Sequence, residues 1–436
     1  MLQSLFRPVL RPIMMGVMSV TGSRRAWSPL SLWPDGIDSH GMWISPRTLD
    51  SHWQDYTGTT PVAVPGTVAD SANPVGLALD IRAGATVLTD PGNHMLQSTS
   101  AARPLMSARR NLLTYTEDFS NAVWYEQVYG AASLAKTPNY STAPDGTLTA
   151  CRVLIADVDD AAWLQNAAYT TPDSVPVTRT VWMKSNTASS YVVTLRPGNP
   201  GGKVTVTPTW TKFEVTLTTA PSTGFNVGLR LDDATSVACD ISIWHPQCEI
   251  GSTATPYQSV PGDGSTYATA FPIFQKYDGV DDGMATAAFA AGTLTSGMDC
   301  MIPVRRDSGA ACVAGLYNGI ADATKFFGMA ESASGSGCVG SGAGTPTVWV
   351  DGVQLTGGTA VTRGTLHTAL TVGDWHILEF RNLDLSTWTA AGFGLYTSYV
   401  FPGPRGDIML YPSTTPTEDK DAARQYLADY YGVTLP

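Results

Sequence analysis

The chain has 436 residues, of which 14% are charged, and carries 42 Gly, 29 Pro and a formal net charge of −11. Single cores rarely grow beyond roughly 250 to 300 residues, so more than one domain is expected. The acidic balance is opposite to the basic footprint of a nucleic-acid binder. No stretch reaches the roughly 18 uninterrupted apolar residues of a membrane-spanning helix, which excludes an α-helical membrane span.

The first 110 residues differ from the rest in charge. They hold nine Arg, no Lys and seven acids, a balance of +2, against −13 for the remainder. Arg7, Arg11, Arg24 and Arg25 precede any acid, and the near-repeat Arg-Pro-Val-Leu, Arg-Pro-Ile-Met reads as an extended apolar strip. Pro8 and Pro12 disfavour a continuous helix there. Arg11 and Pro12 interrupt the apolar run that an export signal needs. Residues 1–110 are therefore expected to form a partly extended anchoring segment whose arginines dock on a partner. The alternative is a disordered leader.

Residues 111–262 show short alternating runs, among them Ala162-Trp163-Leu164, Arg179 to Lys184, Tyr191 to Arg196 and Lys212 to Leu217. Pro144-Asp145-Gly146, Pro197 to Gly202 and Pro221 to Gly224 separate them with turn chemistry. Such strands close as two packed antiparallel sheets. Val260 to Ser265 reads as a linker into residues 263–436, where Thr347 to Leu355 forms a hairpin about the Asp351-Gly352 turn. One C-terminal helix is expected, capped by Thr417, with Ala422, Ala423, Tyr426, Leu427 and Tyr430 at helical spacing before Gly432 stops it. The fold class is thus mainly β: two antiparallel β-sandwich, jelly-roll domains after an extended N-terminal segment, with a terminal helix.

Six cysteines, Cys151, Cys239, Cys248, Cys300, Cys312 and Cys338, contain no Cys-x-x-Cys pair. Buried free thiols are favoured, with Cys239 and Cys248 as a pair that could meet across adjacent strands.

The motifs carry a resemblance. Asn111-Leu112-Leu113 followed by Glu117 to Ser120 and Trp124, closed by Ile243 to Gly251 and Thr255-Pro256-Tyr257, resembles the carbohydrate-binding-like β-sandwich modules of tailed-bacteriophage virion proteins. Trp43 to Pro61, Pro74 to Asp80 and Ala101 to Arg109 look like the leader preceding such modules. Tyr277 to Asp282 and Arg424 to Gly432 resemble the edges of a concanavalin-like, laminin-G-type jelly roll. The resemblance implies a virion structural protein assembled in the bacterial host cytoplasm. It would be a tail fibre, spike or receptor-binding appendage, anchored to other virion subunits through its N-terminal segment. Such appendages are homo-oligomers, commonly trimers, that recognise host surface glycans without cleaving them. A head or neck decoration protein, a glycan depolymerase and a secreted bacterial lectin are the alternatives.

No catalytic motif emerges, so an enzyme is not expected. Gly335 to Gly340 matches G-x-G-x-x-G by letter, but no helix is expected to follow, and a phosphate cradle needs one. For glycan stacking, Trp163 and Trp210 lie near turns, with Tyr191 and Trp349 behind them, while Trp182 and Trp244 sit in strong strand patterns and read as core. No cofactor is implied except calcium, for which Asp278, Asp281 and Asp282 in a Gly-bearing turn are the candidates.

Overall fold

The computed structural model describes residues 27–35, 40–82, 84–130, 132–157, 161–170, 174–195, 202–219, 223–229, 238–319, 322–355 and 361–436. Arg7, Arg11, Arg24 and Arg25 lie outside them. Two β-sandwiches make up the chain, and they are assembled differently.

The first is contiguous in sequence. One five-stranded sheet runs in the order Thr211–Thr219, Val175–Ser185, Cys239–Ile250, Ala150–Asp157, Ser133–Ser141. The facing sheet runs Lys203–Val206, Tyr191–Thr194, Thr223–Leu229, Ala162–Thr170, Trp124–Val128. Alternation in the strands buries Trp124, Leu164, Val181, Met183, Phe225 and Ile243 between them.

Asn111 and Gln258 clasp the two ends of this unit. The Asn111 carboxamide accepts from the amides of Leu113 and Cys248 and donates to the carbonyls of Pro246 and Gln258. Gln258 accepts from the amides of Arg110 and Asn111 and donates to the carbonyls of Ala108 and Ala268. Both side chains are buried with every amide group engaged, which holds chain entry and exit side by side.

The second sandwich is composite. Leu105–Ser107 pairs antiparallel with Phe274–Asp278 on either side of the contiguous unit, which is therefore an insertion between two neighbouring strands. Met42–Ile44 pairs with Ile408–Pro412, placing Met42 opposite Leu410. Both pairs belong to a nine-stranded sheet whose central strands are Ser296–Arg305 and Trp375–Asp384. A five-stranded sheet of His52–Trp53, Leu77–Ala78, Met95–Leu96, Met284–Thr286 and Gly392–Phe393 again mixes early and late segments. Met42, Ile44, Val75, Met95 and Met106 share one core with Ile302, Phe380, Trp388 and Leu410. The expectation of a separate anchoring segment over residues 1–110 is corrected accordingly. From Met42 onward it supplies strands to the sheets that residues 263–436 complete. Strand pairing over more than 350 residues leaves no local periodic mark, which is why the sequence reading missed it.

Thr417–Tyr431 is helical and ends at Gly432 in the left-handed conformation, φ 76°. Thr417 is its first residue and Pro416 the cap, with no side-chain cap bond. The fixed φ of proline takes the place of the expected hydroxyl. Ala423, Leu427, Ala428 and Tyr431 pack on Trp33, Trp43, Phe274, Met301 and Trp375 across the large sheet. A second, short helix, Arg363–Ala369, is capped by Thr362, which accepts from the Thr365 amide.

All six cysteines are buried free thiols. Cys239 and Cys248 lie on one strand, so a bridge across adjacent strands is not available to them. Gly335 to Gly340 runs into the three-residue turn Ser341–Ala343, too short to present a helix N-terminus. Among the described residues no helix is long and apolar enough to cross a membrane.

Candidate functional site

The outer face of the sheet that carries Ala162–Thr170 combines aromatic rings with amide side chains. Ala162 and Leu164 point into the core, so alternation turns Trp163 and Gln165 outward. Register places Gln127 and Gly228 beside Trp163, and Tyr125 and Asn226 beside Gln165. Thr194 continues the first row across Gly228. A Cβ on Gly228 would lie 2.3 Å from the Ala162 carbonyl oxygen and 2.6 Å from Trp163 Cβ, so glycine is what lets the two strands approach closely at Trp163.

The Trp163 indole N–H donates to Gln165 Oε1 at 3.0 Å, and the Tyr129 ring lies 5.3 Å away at 36°. Asn226 Nδ2 also donates to Gln165 Oε1, at 3.4 Å. Tyr125 and Tyr129 are 37% and 46% exposed, whereas Gln165 and Asn226 are buried. The face therefore presents Tyr125 and Tyr129 beside half-buried Trp163 and Gln127, above the buried and mutually bonded amides of Gln165 and Asn226. Rings of this kind suit the C–H faces of a sugar, and ordered amides suit its hydroxyls.

The other stacking candidates lie elsewhere. Trp210 sits outside the opposite sheet, donates to the Thr142 carbonyl at 3.1 Å and packs with Trp182 on Trp244, with Lys184 Nζ 5.2 Å from its ring centroid. Trp244 is buried and Trp182 half-buried, but both belong to this small outer cluster and not to the main core. Tyr191 faces the inside of its sheet and packs against the core, its hydroxyl 2.7 Å from Thr187 Oγ1. Trp349 has the Arg381 guanidinium 4.1 Å from its ring centroid, which occupies one stacking face. Of the four, Trp163 lies beside amide side chains, whereas Trp210 belongs to the Trp182–Trp244 cluster. Tyr125, Gln127 and Tyr129 were passed over in the sequence, since after buried Trp124 the strand is exposed or half-buried at every position and shows no alternation that would mark them.

Asp278, Asp281 and Asp282 converge, with carboxylate oxygens all within 4.8 Å of one another. Burial pushes the Asp282 carboxyl up to about 6, and repulsion from Asp278 and Asp281 adds to it, against the Asp278 amide donating at 2.8 Å. The turn amides of Val280 and Asp281 point at Asp278 Oδ1. Three hard oxygen donors in this arrangement fit calcium by chemistry.

One hydrogen-bond relay was not foreseen. His376 Nδ1 lies 2.6 Å from Asp351 Oδ2, and its Nε2 lies 2.8 Å from Thr371 Oγ1. Asp374 Oδ2 accepts from the same hydroxyl at 3.2 Å. Asp351 also accepts the Ile377 amide. These bonds hold the hairpin turn against the neighbouring strand.

No family model and no curated protein matches the chain. Among solved structures, the tandem CBM22-1-CBM22-2 domain of Paenibacillus barcinonensis Xyn10C aligns at 12% identity over 70% of this chain and 98% of that one, with a TM-score of 0.25. The family 11 carbohydrate-binding module of Clostridium thermocellum Lic26A-Cel5E aligns at 11% identity over 33% of this chain and 98% of that one, with a TM-score of 0.24. The enzymatically active domain of bacteriophage CBA120 tailspike protein 4 aligns at 14% identity over 32% of this chain, and only 21% of that domain is covered, with a TM-score of 0.23. Likenesses with TM-scores this low carry no argument about function, which rests on the geometry of the site.

Proposed function

We propose that the inserted sandwich binds glycans on the face built around Trp163, without cleaving them, and that the protein is a structural component of a tailed-phage virion. The observation that carries the binding reading is the juxtaposition of Trp163, Tyr129 and Tyr125 with Gln127, Gln165 and Asn226 on one outward sheet face. In that reading the ligand is a bacterial surface glycan and the chain works as a homo-oligomer, a trimer by analogy, attached to other virion subunits. The phage assignment rests on the sequence resemblance alone.

A glycan array probed with the whole chain and with Trp163→Ala tests the binding. Wild-type signal that falls about tenfold or more in the variant is expected, since stacking on an aromatic platform contributes about 1.4 kcal/mol or more. Equal signal from both proteins, or none from the wild type, sinks the reading. The phage role is tested by locating the protein on particles by electron microscopy.

A further inference from the structure

Arg110 stands at the seam of the two sandwiches, directly before the Asn111 clasp. It is 6% exposed, and its guanidinium carbon lies 5.6 Å and 5.7 Å from the ring centroids of Trp375 and Phe274. Among the described residues its guanidinium has no hydrogen-bond or ion-pair partner, and Nε is fully enclosed without an acceptor. Trp375 Nε1 is enclosed without an acceptor as well.

The charges nearby are already engaged. Arg305 binds Asp307 through two contacts of 2.8 Å and 3.2 Å. Glu249 accepts from Gln247 Nε2 and from both the amide and the hydroxyl of Thr255. A cation removed from water without a counter-charge costs several kcal/mol, so buried charges are as a rule paired. Glu249 and Asp307 attract Arg110 through space, but neither carboxylate makes a hydrogen bond or ion pair with its guanidinium.

Arg110 lies between two cavities in the seam, of about 530 and 460 Å³. The larger also carries Arg109 and Lys276. Arg109 spends its guanidinium on the carbonyls of Asn111, Leu112 and Leu113, not on a carboxylate. The wall also carries four acids, each with its own donors: Asp70 with Ser107 and Tyr267, Asp263 with Ser265, Asp278 with the Val280 and Asp281 amides, and Asp307 with Arg305. The chamber is large enough for a sugar-sized ligand.

We infer that this inter-sandwich chamber is a second binding site, for a small oxyanion whose carboxylate or phosphate oxygens complete the hydrogen bonding of Arg110. It is separate from the Trp163 face and does not depend on it. Two sources share this chemistry, an acidic sugar and a free phosphate.

Calorimetric titration of the whole chain in chloride buffer with glucuronate, inorganic phosphate and neutral glucose tests the site. The expected result is binding of glucuronate, phosphate or both, and none of glucose. Arg110→Gln should weaken that binding about tenfold or more, because hydrogen bonds to a charged partner are the strong ones. Lys276→Gln should weaken it a few-fold, while Trp163→Ala should leave it unchanged. Binding of glucuronate alone assigns the site to acidic sugars, and binding of phosphate at least as tight assigns it to phosphoryl groups. Glucose binding as well as glucuronate, or no anion binding at all, overturns the inference, the latter meaning that ordered water satisfies Arg110. Should Arg110→Gln fail to fold, two readings that keep Arg110 still decide: an anion-dependent rise in the wild-type melting temperature, and its reduction in Lys276→Gln.

Discussion

The two sandwiches are made of similar strands and were unequally visible in the sequence. Every strand of the inserted unit comes from one stretch of about 150 residues, and its ends are pinned by two side chains, Asn111 and Gln258. The composite unit draws strands from before and after that stretch, so Met42 must find Leu410 and Ser107 must find Phe274 before either sheet is complete. Local pairing yields a unit that can close independently, whereas non-local pairing makes one end of the chain the condition for the other.

The largest expected effect follows from that asymmetry. A chain beginning at Leu105 loses Met42–Ile44, His52–Trp53, Leu77–Ala78 and Met95–Leu96, all strands of the composite sheets. Its composite sandwich should not fold, while the inserted sandwich keeps its own cooperative transition in calorimetry. Two intact transitions in that truncated chain would break the comparison.

Next in size is Asp407→Ala. Asp407 is fully buried and receives the Trp43 indole at 3.0 Å, Arg47 at 3.2 Å and the Tyr431 hydroxyl at 2.9 Å, tying an early segment to the last helix. Burial alone would raise its pKa, yet Arg47 and these donors hold it below the usual carboxylate range. Removing it leaves the half-buried Arg47 guanidinium without its carboxylate and the Trp43 and Tyr431 donors without an acceptor, and should cost about 3 kcal/mol. Denaturant unfolding should show the loss in the composite transition only. A loss in the inserted transition would mean that the two units unfold as one.

Acid probes both units at once. Burial pushes His52, in the composite sandwich, and His245, stacked between Trp244 and Tyr257 in the inserted one, down to about 4. The unfolded chain takes up these protons near 6.5. Stability from each is therefore complete above about pH 6.5 and is lost as pH falls towards 4, on the order of a few kcal/mol for fully buried His52. His52→Gln should flatten the acid limb of the composite melting curve and His245→Asn that of the inserted one. Substitutions that exchange these effects would show that the transitions are misassigned.

The smallest expected effect is at Asp278, Asp281 and Asp282. With its carboxyl raised to about 6, Asp282 disfavours the folded state as pH rises through that value, and a divalent cation would offset the repulsion. Calcium should raise the composite melting temperature by a few degrees at neutral pH, given that about 1 kcal/mol moves a domain of this size by roughly 2 to 4 °C. Identical curves in calcium and in chelator dispose of the metal.

Residue by residue, legibility followed distance along the chain. Asn111 was visible as a boundary because its contacts run to the closing motif the sequence also displays. Trp163 was visible as a stacking candidate because it lies near a turn, while Tyr125 and Tyr129 were hidden beside Trp124, read only as the opening of the unit. Arg110 was visible as a charge, but its isolation appears only where Phe274 and Trp375 enclose it.

By itself the sequence determined the mainly β class, many strands of the inserted sandwich, though not Ser133–Ser141 or Ala150–Asp157, and the terminal helix with its stop at Gly432. Each is written in periodicity, turn residues and caps that act within a few residues. Tertiary structure alone decided that residues 42–107 belong to the far sandwich, that Trp163 shares a face with Gln165 and Asn226, and that Arg110 borders a chamber. Sheet register and burial are set by partners that can lie hundreds of residues away, and no local pattern encodes them.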